Sequence, residues 1–267
     1  MELKILNTEN KEVGKQKMPT QFEEEFRPDL IKRAVESTQA NKRQPYGADP
    51  EAGIKSAAKL SRRRRKYKSG YGKGLPRVPR KTMLRRGMQM VWVGAFAPGT
   101  VGGRKAHAPV ARDFSQKMND KERRKAIRSA LSATIQKLTV QKRGHKIPTN
   151  YPFIISNDFE KIENTKDAIK ALHAIGLTED LQRADNKHIR SGHGKARGRK
   201  YKQPVGPLIV VAEESKIITA AQNIPGVEIT DVNHLSAEQL APGTHPGRLT
   251  LYTQAAIQKM EKENLYK

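Results

Sequence analysis

Near the start of the chain, apolar and polar positions alternate briefly, then recur at helical spacing. Leu3-Lys-Ile-Leu6 and Val13-Gly-Lys-Gln-Lys17 flank the polar Asn7-Thr-Glu-Asn10, which predicts a short hairpin. Pro28-Asp-Leu-Ile-Lys-Arg-Ala-Val35 opens a helix ending near Asn41, with Pro28 in the first turn and Asp29 at the positive end of its dipole. Beyond residue 119, Ala126, Ile127, Ala130, Leu131, Ala133, Thr134, Ile135 and Leu138 fit one face of a single long helix reaching Gly144. Asn119-Asp-Lys-Glu122 predicts a capping box at its start, with Glu122 reaching back to Asn119. Phe153-Ile-Ile155, Leu208-Ile-Val-Val-Ala212, Val227 to Val232 and Leu249-Thr-Leu-Tyr252 predict strands. The second of these has no polar face, as expected of a strand covered on both sides in a parallel sheet. Helices are predicted from Asn164 or Thr165 to Ile175, Thr178 to about Ile189, Ser215 to Gln222 and Gln254 to about Leu265, with a helical turn at Ser236. This alternation predicts a three-layer α/β/α fold with a mostly parallel sheet.

The pattern fails between residues 45 and 112. Prolines at 45, 50, 76, 79, 98 and 109 and a scatter of glycines leave room for one short strand, Met88 to Val93. The domain reading is therefore a globular body from 1–44 and 113–267, with 45–112 inserted in it as a long extended basic loop. A structureless loop of that length inside a domain is usually functional. Its two limbs, at roughly 3.3 Å per residue, span about 100 Å each at full extension.

Charge sharpens this division. No acidic residue falls between Glu51 and Asp113, and the stretch 52–112 holds 17 of the chain's 52 lysines and arginines. They are Lys55, Lys59, Arg62, Arg63, Arg64, Arg65, Lys66, Lys68, Lys73, Arg77, Arg80, Lys81, Arg85, Arg86, Arg104, Lys105 and Arg112. A second acid-free stretch, 186–212, holds 7 more: Lys187, Arg190, Lys195, Arg197, Arg199, Lys200 and Lys202. Removing those 17 and 7 from the 52 leaves 28 basic residues against 27 acidic ones. The chain thus reads as a nearly neutral body with two cationic excursions, the electrostatic footprint of a nucleic-acid partner. Such a run repels itself and cannot fold around a core of its own.

Candidate chemistry beyond phosphate binding is sparse. The chain has no cysteine, which excludes disulfides, zinc fingers and thiol catalysis. No apolar run approaches the roughly 20 residues of a membrane span, and Met1-Glu-Leu-Lys lacks the regions of a signal peptide, so a soluble, intracellular protein is expected. Gly192-His-Gly194 with Gly198 has the wrong spacing for a dinucleotide fingerprint and precedes a strand instead of following one. His188 and His193 sit among cations that disfavour a metal, and the same charge makes both of them candidates for phosphate or base contacts. No cofactor and no metal are expected. Glu23-Glu-Glu25 and Glu213-Glu214 read as solvated surface or cap positions, not as a general acid and base. Trp92, Met88, Met90 and Phe96 are expected to pack against the body. Tyr67 and Tyr71, set among Arg65, Lys66, Lys68 and Lys73 with glycines for close approach, suit stacking on RNA bases and sugars.

Four segments carry a resemblance to a known family. Asn41-Lys-Arg-Gln-Pro-Tyr-Gly-Ala48, Ala52-Gly-Ile-Lys-Ser-Ala57, Gly74-Leu-Pro-Arg-Val-Pro-Arg80 and Thr100-Val-Gly-Gly-Arg-Lys-Ala-His-Ala-Pro109 resemble the archaeal and eukaryotic branch of large-subunit ribosomal protein four. Asn119-Asp-Lys-Glu-Arg-Arg-Lys-Ala-Ile-Arg-Ser-Ala-Leu131 resembles the helix that follows there. The resemblance covers nearly the whole chain and the order of its parts. It implies a structural constituent of the large ribosomal subunit, not an enzyme, that supports subunit assembly. Large-subunit rRNA, neighbouring large-subunit ribosomal proteins and the nascent peptide are the implied partners, with no membrane, in the cytoplasm. Carried over by position, the loop tip falls at Ser69, Gly70, Tyr71, Gly72, Lys73 and Gly74 and helps to line the nascent-peptide exit tunnel. The limbs Arg62 to Lys68 and Arg77 to Arg86 grip rRNA phosphates, and Gly102-Gly-Arg-Lys-Ala-His107 lies on rRNA where the loop rejoins the body. The chain lacks the long C-terminal extension of eukaryotic members, which implies an archaeal type.

Two other classes compete on the residues alone. An α/β nuclease or methyltransferase would use the basic loop as a substrate clamp, but needs clustered carboxylates or a cofactor glycine loop at strand ends. A DNA-compacting protein would not carry a large neutral α/β body.

Overall fold

The computed structural model describes residues 1–66, 69–87, 89–213 and 215–267. The chain divides into two units, one made of Met1–Lys42 with Ser115–Lys267 and the other of Arg43–Phe114. In chain order the elements are β1 (Glu2–Leu6), β2 (Glu12–Lys17), α1 (Pro28–Lys42), β3 (Ala58–Lys59), β4 (Arg80–Arg86), β5 (Gln89–Gly94), α2 (Asp120–Ile135), α3 (Lys137–Lys142), β6 (Ile154–Ile155), α4 (Thr165–Ala174) and α5 (Thr178–Asp185). They continue with β7 (His188–Ile189), β8 (Tyr201–Lys202), β9 (Leu208–Val211), α6 (Lys216–Ala221), β10 (Glu228–Asp231), α7 (Ala237–Leu240), β11 (Thr250–Thr253) and α8 (Gln254–Lys262).

The first unit is a mixed α/β fold. Its six-stranded sheet runs β10-β9-β11-β6-β1-β2, and every pairing is parallel except that of β2 with β1. Successive side chains of a strand point to opposite faces, and the hydrophobic residues sort accordingly. Leu3, Ile5, Ile154, Leu208, Val210 and Tyr252 join one buried cluster with residues of α1, α2, α7 and α8. Leu6, Ile155, Ile209, Val211, Leu249 and Leu251 join a second with residues of α3, α4, α5 and α6. The unbroken apolar run of β9 is explained by this, since each of its four residues is buried.

Three local expectations are corrected. The helix from residue 119 does not run unbroken to Gly144 but breaks at Gln136 between α2 and α3. No Pro or Gly marks the break. The Thr134 carbonyl, which a continuing helix would use, accepts from the Tyr151 hydroxyl, and Thr134 Oγ1 lies 2.9 Å from the Tyr252 hydroxyl. Asn119 is the N-cap of α2, but its side chain makes no capping bond, and Glu122 pairs instead with Arg33 at 2.7 Å. The capping box lies at Ser236 and Gln239, where both reciprocal bonds form. The helix from Thr178 ends at Asp185, not near Ile189, because His188 and Ile189 pair with Lys202 and Tyr201 in an antiparallel ladder.

Within Arg43–Phe114 the structure is richer than one short strand. β3, β4 and β5 form a three-stranded antiparallel sheet with a bulge between Thr82 and Leu84. β4 carries Arg80, Lys81, Arg85 and Arg86, so no apolar alternation marks it in the sequence. Met88, expected at the start of the strand, lies outside the described residues. Ala95 is the one buried hydrophobic residue of this unit among the described residues. Backbone hydrogen bonds and close approaches of chain to chain, not an apolar core, give the unit its shape. At Gly103 a Cβ would lie 2.3 Å from the Ala97 carbonyl oxygen, so no other residue fits there.

Candidate nucleic-acid interface

The cations of Arg43–Phe114 lie at the surface and are largely unneutralised. Lys59, Arg62, Arg63, Arg64, Arg65, Lys66, Arg77, Arg85, Arg86, Arg104, Lys105, His107 and Arg112 are exposed, and Arg80 and Lys81 are half-buried. Lys55 pairs with Asp49, and no salt bridge neutralises Arg62 to Lys66, Arg77, Arg85 or Arg86 among the described residues. Tyr67 and Lys68, also expected at this surface, lie outside the described residues. Without carboxylates these charges lower their energy chiefly by binding a polyanion.

The expected tip is a tight turn. Ser69 and Gly70 are buried, and residues 71–75 are exposed. Ser69 pairs with Ser61 in an isolated parallel bridge, donates its amide to the Lys66 carbonyl at 3.1 Å, and accepts from the Tyr71 amide on Oγ at 3.2 Å. Gly72 and Gly74 adopt φ of +75° and +67°, which side chains with a Cβ rarely tolerate. The two large side chains of the tip are engaged within their own unit. Tyr71 lies under Arg64 and Arg77, 5.1 and 5.0 Å from its ring centroid, and Lys73 Nζ lies 5.3 Å from the Trp92 ring. Composition suggested Tyr71 as a stacking platform, but not that arginines occupy it. A further aromatic was missed altogether: Phe114 lies under Arg43 at 3.9 Å and Arg112 at 5.1 Å.

Gly102 to Lys105, with Ala108 to Ala111, face Gly47 to Pro50 and Ala52 to Ile54 across a cleft of about 960 Å³, and His107 is exposed outside its lining. The Ala48 amide donates to the Pro109 carbonyl at 2.9 Å, and the Arg104 amide to the Phe96 carbonyl at 3.2 Å. These backbone bonds hold the exposed Arg104 and Lys105 at the rim of the cleft.

The second acid-free stretch is a separate hairpin. β7 and β8 form its arms, and a turn of 3₁₀ helix, His193–Arg197, forms its end. Lys187, His193, Lys195, Arg197, Arg199, Lys200 and Lys202 are exposed, whereas Arg190 is half-buried. Tyr201 lies under Lys187 at 4.2 Å and Lys200 at 5.4 Å.

A buried polar network anchors the base of this hairpin, and no sequence motif announces it. Asp180 is fully buried, accepting from the Lys146 amide at 2.9 Å and from Arg183 Nε at 2.9 Å. His145 Nδ1 lies 3.1 Å from Asp180 Oδ2 and 3.0 Å from Arg183 Nη2. Arg183 also donates to the Val205 carbonyl at 2.8 Å, and Gln203 Nε2 to the Ala184 carbonyl at 2.9 Å. Burial pushes the His145 imidazole down, and the hydrogen bond to Asp180 offsets only part of that. Burial alone would raise Asp180, but the hydrogen bonds from His145 and Arg183 outweigh it and hold the carboxyl below its usual range. The only signal was spacing: Asp180 and Arg183 stand three apart on a helix.

Open α/β sheets usually bind ligands beyond the carboxyl ends of their strands. Here Glu160 fills that place, accepting from Thr253 Oγ1 at 2.5 Å and the Ala212 amide at 3.2 Å. Asn157 Oδ1 accepts from the Ala255 amide in the first turn of α8 at 2.8 Å. A carboxylate at this point repels the phosphate of a nucleotide cofactor. Of the acid groups singled out in the sequence, Glu24 pairs, half-buried, with Arg128 at 2.8 Å and the exposed Glu213 with Lys259 at 2.8 Å, while Glu214 lies outside the described residues. Among the described residues no group of three His, Cys, Asp or Glu could hold a metal, and no helix is long and apolar enough to cross a membrane.

Fold and site together define an α/β protein that displays an unneutralised cationic surface. A family model, ribosomal protein L4/L1 family, matches residues 16–263. Proteins named large ribosomal subunit protein uL4 are similar along nearly the whole chain: that of Methanococcoides burtonii is 45% identical over 96% of this chain and 96% of its own length. Those of Nanoarchaeum equitans and Halobacterium salinarum (strain ATCC 29341) are 41% and 40% identical, over 100% and 97% of this chain and 100% and 99% of their own lengths. The chain belongs to the ribosomal protein L4/L1 family, whose members are structural proteins and not enzymes.

Proposed function

We propose that this protein is a structural constituent of the large ribosomal subunit that binds large-subunit rRNA through residues 45–112 and through the hairpin 186–203. The observation that carries the reading is the run Arg62 to Lys66, exposed and without an ion pair among the described residues, in a unit with almost no apolar core. The names of the full-length relatives support the ribosomal assignment. In this reading residues 1–44 and 113–267 form a three-layer α/β/α body, supported by helices contributing to both hydrophobic clusters. Residues 45–112 penetrate the rRNA, with Arg62 to Arg65, Lys66, Arg77, Arg80, Lys81, Arg85 and Arg86 on phosphates and Arg104, Lys105 and His107 on RNA near the body. Ser69 to Gly74 help to line the peptide exit tunnel, where the nascent chain passes, and the body contacts neighbouring ribosomal proteins. The protein acts in the cytoplasm and supports subunit assembly.

Co-sedimentation tests this. Tagged protein expressed in a methanogenic archaeon is expected with the large subunit on a sucrose gradient and to resist a low-salt wash. Recovery only at the top of the gradient, with the free protein, overturns the assignment.

A further inference from the structure

We infer that Tyr71 is a positioning residue whose ring holds Arg64 and Arg77 as two preformed guanidinium contacts for RNA phosphodiester groups. This deepens the rRNA-binding reading of residues 45–112 and rests on it.

Arg64 and Arg77 come from opposite sides of the tip. The chain turns back just after Arg64, where Arg65 adopts φ of +55°. The Ser61–Ser69 bridge then closes the loop, and the Ser69 Oγ bond to the Tyr71 amide fixes the root of the ring. Gly72 and Gly74 return the chain toward Arg77. The limbs come close: a Cβ at Gly70 would lie 3.3 Å from the Leu75 carbonyl oxygen.

Two guanidinium groups repel, and no carboxylate pairs with either among the described residues. The negative face of an aromatic ring attracts each of them, and both lie within the range of that attraction. The ring therefore offsets part of the cost of holding two like charges around one side chain. A guanidinium resting on a ring uses its flat face, while its N–H donors radiate from the edge. Those donors stay free for bidentate bonding to phosphate oxygens. A ring attended by two arginines is not an open platform for a base.

The same device recurs. Phe114 lies under Arg43 and Arg112, and Tyr201 under Lys187 and Lys200. In each case an aromatic gathers two cations in an acid-poor segment. Only the arginine pairs have the planar fork that matches phosphate.

The test is a double-mutant cycle on the full-length protein, with a transcript of Methanococcoides burtonii large-subunit rRNA as probe. Affinity is measured across a salt series for the wild type, Tyr71→Phe, Tyr71→Leu, Arg64→Ala/Arg77→Ala and the triple variant. Tyr71→Phe is expected to match the wild type. Arg64→Ala/Arg77→Ala should lower the slope of log affinity against log salt by about 2, one per lost phosphate contact. Tyr71→Leu should lower affinity on the order of fivefold, the worth of a cation–π contact at an exposed site, and should reduce the slope as well. Added to the arginine variant, Tyr71→Leu should change nothing further. If the tyrosine and arginine losses multiply, the ring touches RNA itself, as in base stacking, and the positioning role is wrong. An unchanged Tyr71→Leu also overturns it. A wild type that does not bind the transcript at low salt rejects the rRNA reading, and the clamp with it. Circular dichroism melts, expected to be identical for all variants, separate loss of binding from loss of fold.

Discussion

Arg183 reaches back one turn of α5 to Asp180, its Nε 2.9 Å from a carboxylate oxygen that is fully buried. The same guanidinium donates to the Val205 carbonyl, beyond the far arm of the cationic hairpin. One ion pair, its carboxylate buried and its guanidinium partly exposed, thus ties the base of the hairpin to the helix before it. Removing Asp180 leaves Arg183, itself a quarter exposed, without its carboxylate, and His145 and the Lys146 amide without their partner, which typically costs about 1–3 kcal/mol. Asp180→Ala is expected to destabilise the fold by that amount, read as a lower urea midpoint at unchanged slope. A midpoint within error of the wild type would show that the pair is dispensable.

Stability should fall as the solution becomes acidic, in two windows. The folded chain holds His145 below its ordinary value of 6.5, so the unfolded chain takes up that proton first as pH drops. Asp180 is held below its ordinary value of 3.8, so near that pH the unfolded chain again binds the extra proton. Stability rises with pH wherever the unfolded state binds more protons, so both effects act in one direction. Thermal unfolding from about pH 7 to about pH 5 should show a decline that His145→Gln flattens. An identical decline in the variant would place the effect elsewhere.

Binding to rRNA should be steeply salt-dependent. With about 6–10 phosphates neutralised, affinity should drop on the order of 10³–10⁵ between about 50 and about 200 mM salt. That scale comes from duplex DNA, and what carries over to folded RNA is the steepness. Titration at several salt concentrations reads it directly, and a flat response rejects phosphate-led binding.

Deleting Ser69 to Gly74 should spare the body. Neither hydrophobic cluster takes a residue from 43–114, so the stability of the α/β fold should change by less than about 0.5 kcal/mol. Incorporation of the deletion variant into large subunits, or passage of nascent chains through them, should be impaired instead. A variant that unfolds, yet gives normal subunits when rescued, would make the tip a folding element.

The hairpin 186–203 should bind RNA without supporting the fold. Lys195, Arg197 and Arg199 are exposed at its end. Replacing the three with Gln should leave the melting temperature unchanged and lower the salt slope by about 3. A lower melting temperature at unchanged affinity would contradict this.

Much of the fold was legible from local pattern. The N-terminal hairpin, the all-apolar β9 and the parallel strands after residue 119 follow from which positions are apolar and how often they recur. β4 was hidden because its positions are filled by arginine and lysine, chosen for something other than burial. The break at Gln136 was invisible because its cause, the Tyr151 hydroxyl on the Thr134 carbonyl, lies 17 residues away in the chain.

The sequence by itself determined the class of fold and where the charge lies. Periodicity is a relation between neighbours, and the absence of carboxylates between Glu51 and Asp113 needs no coordinates to be seen. Only the tertiary structure decided which partners those side chains take. It set Tyr71 under Arg64 and Arg77 and closed His145, Asp180 and Arg183 into one buried network. Both depend on segments that meet in space for reasons of packing and chain reversal, and a one-dimensional pattern does not contain those distances.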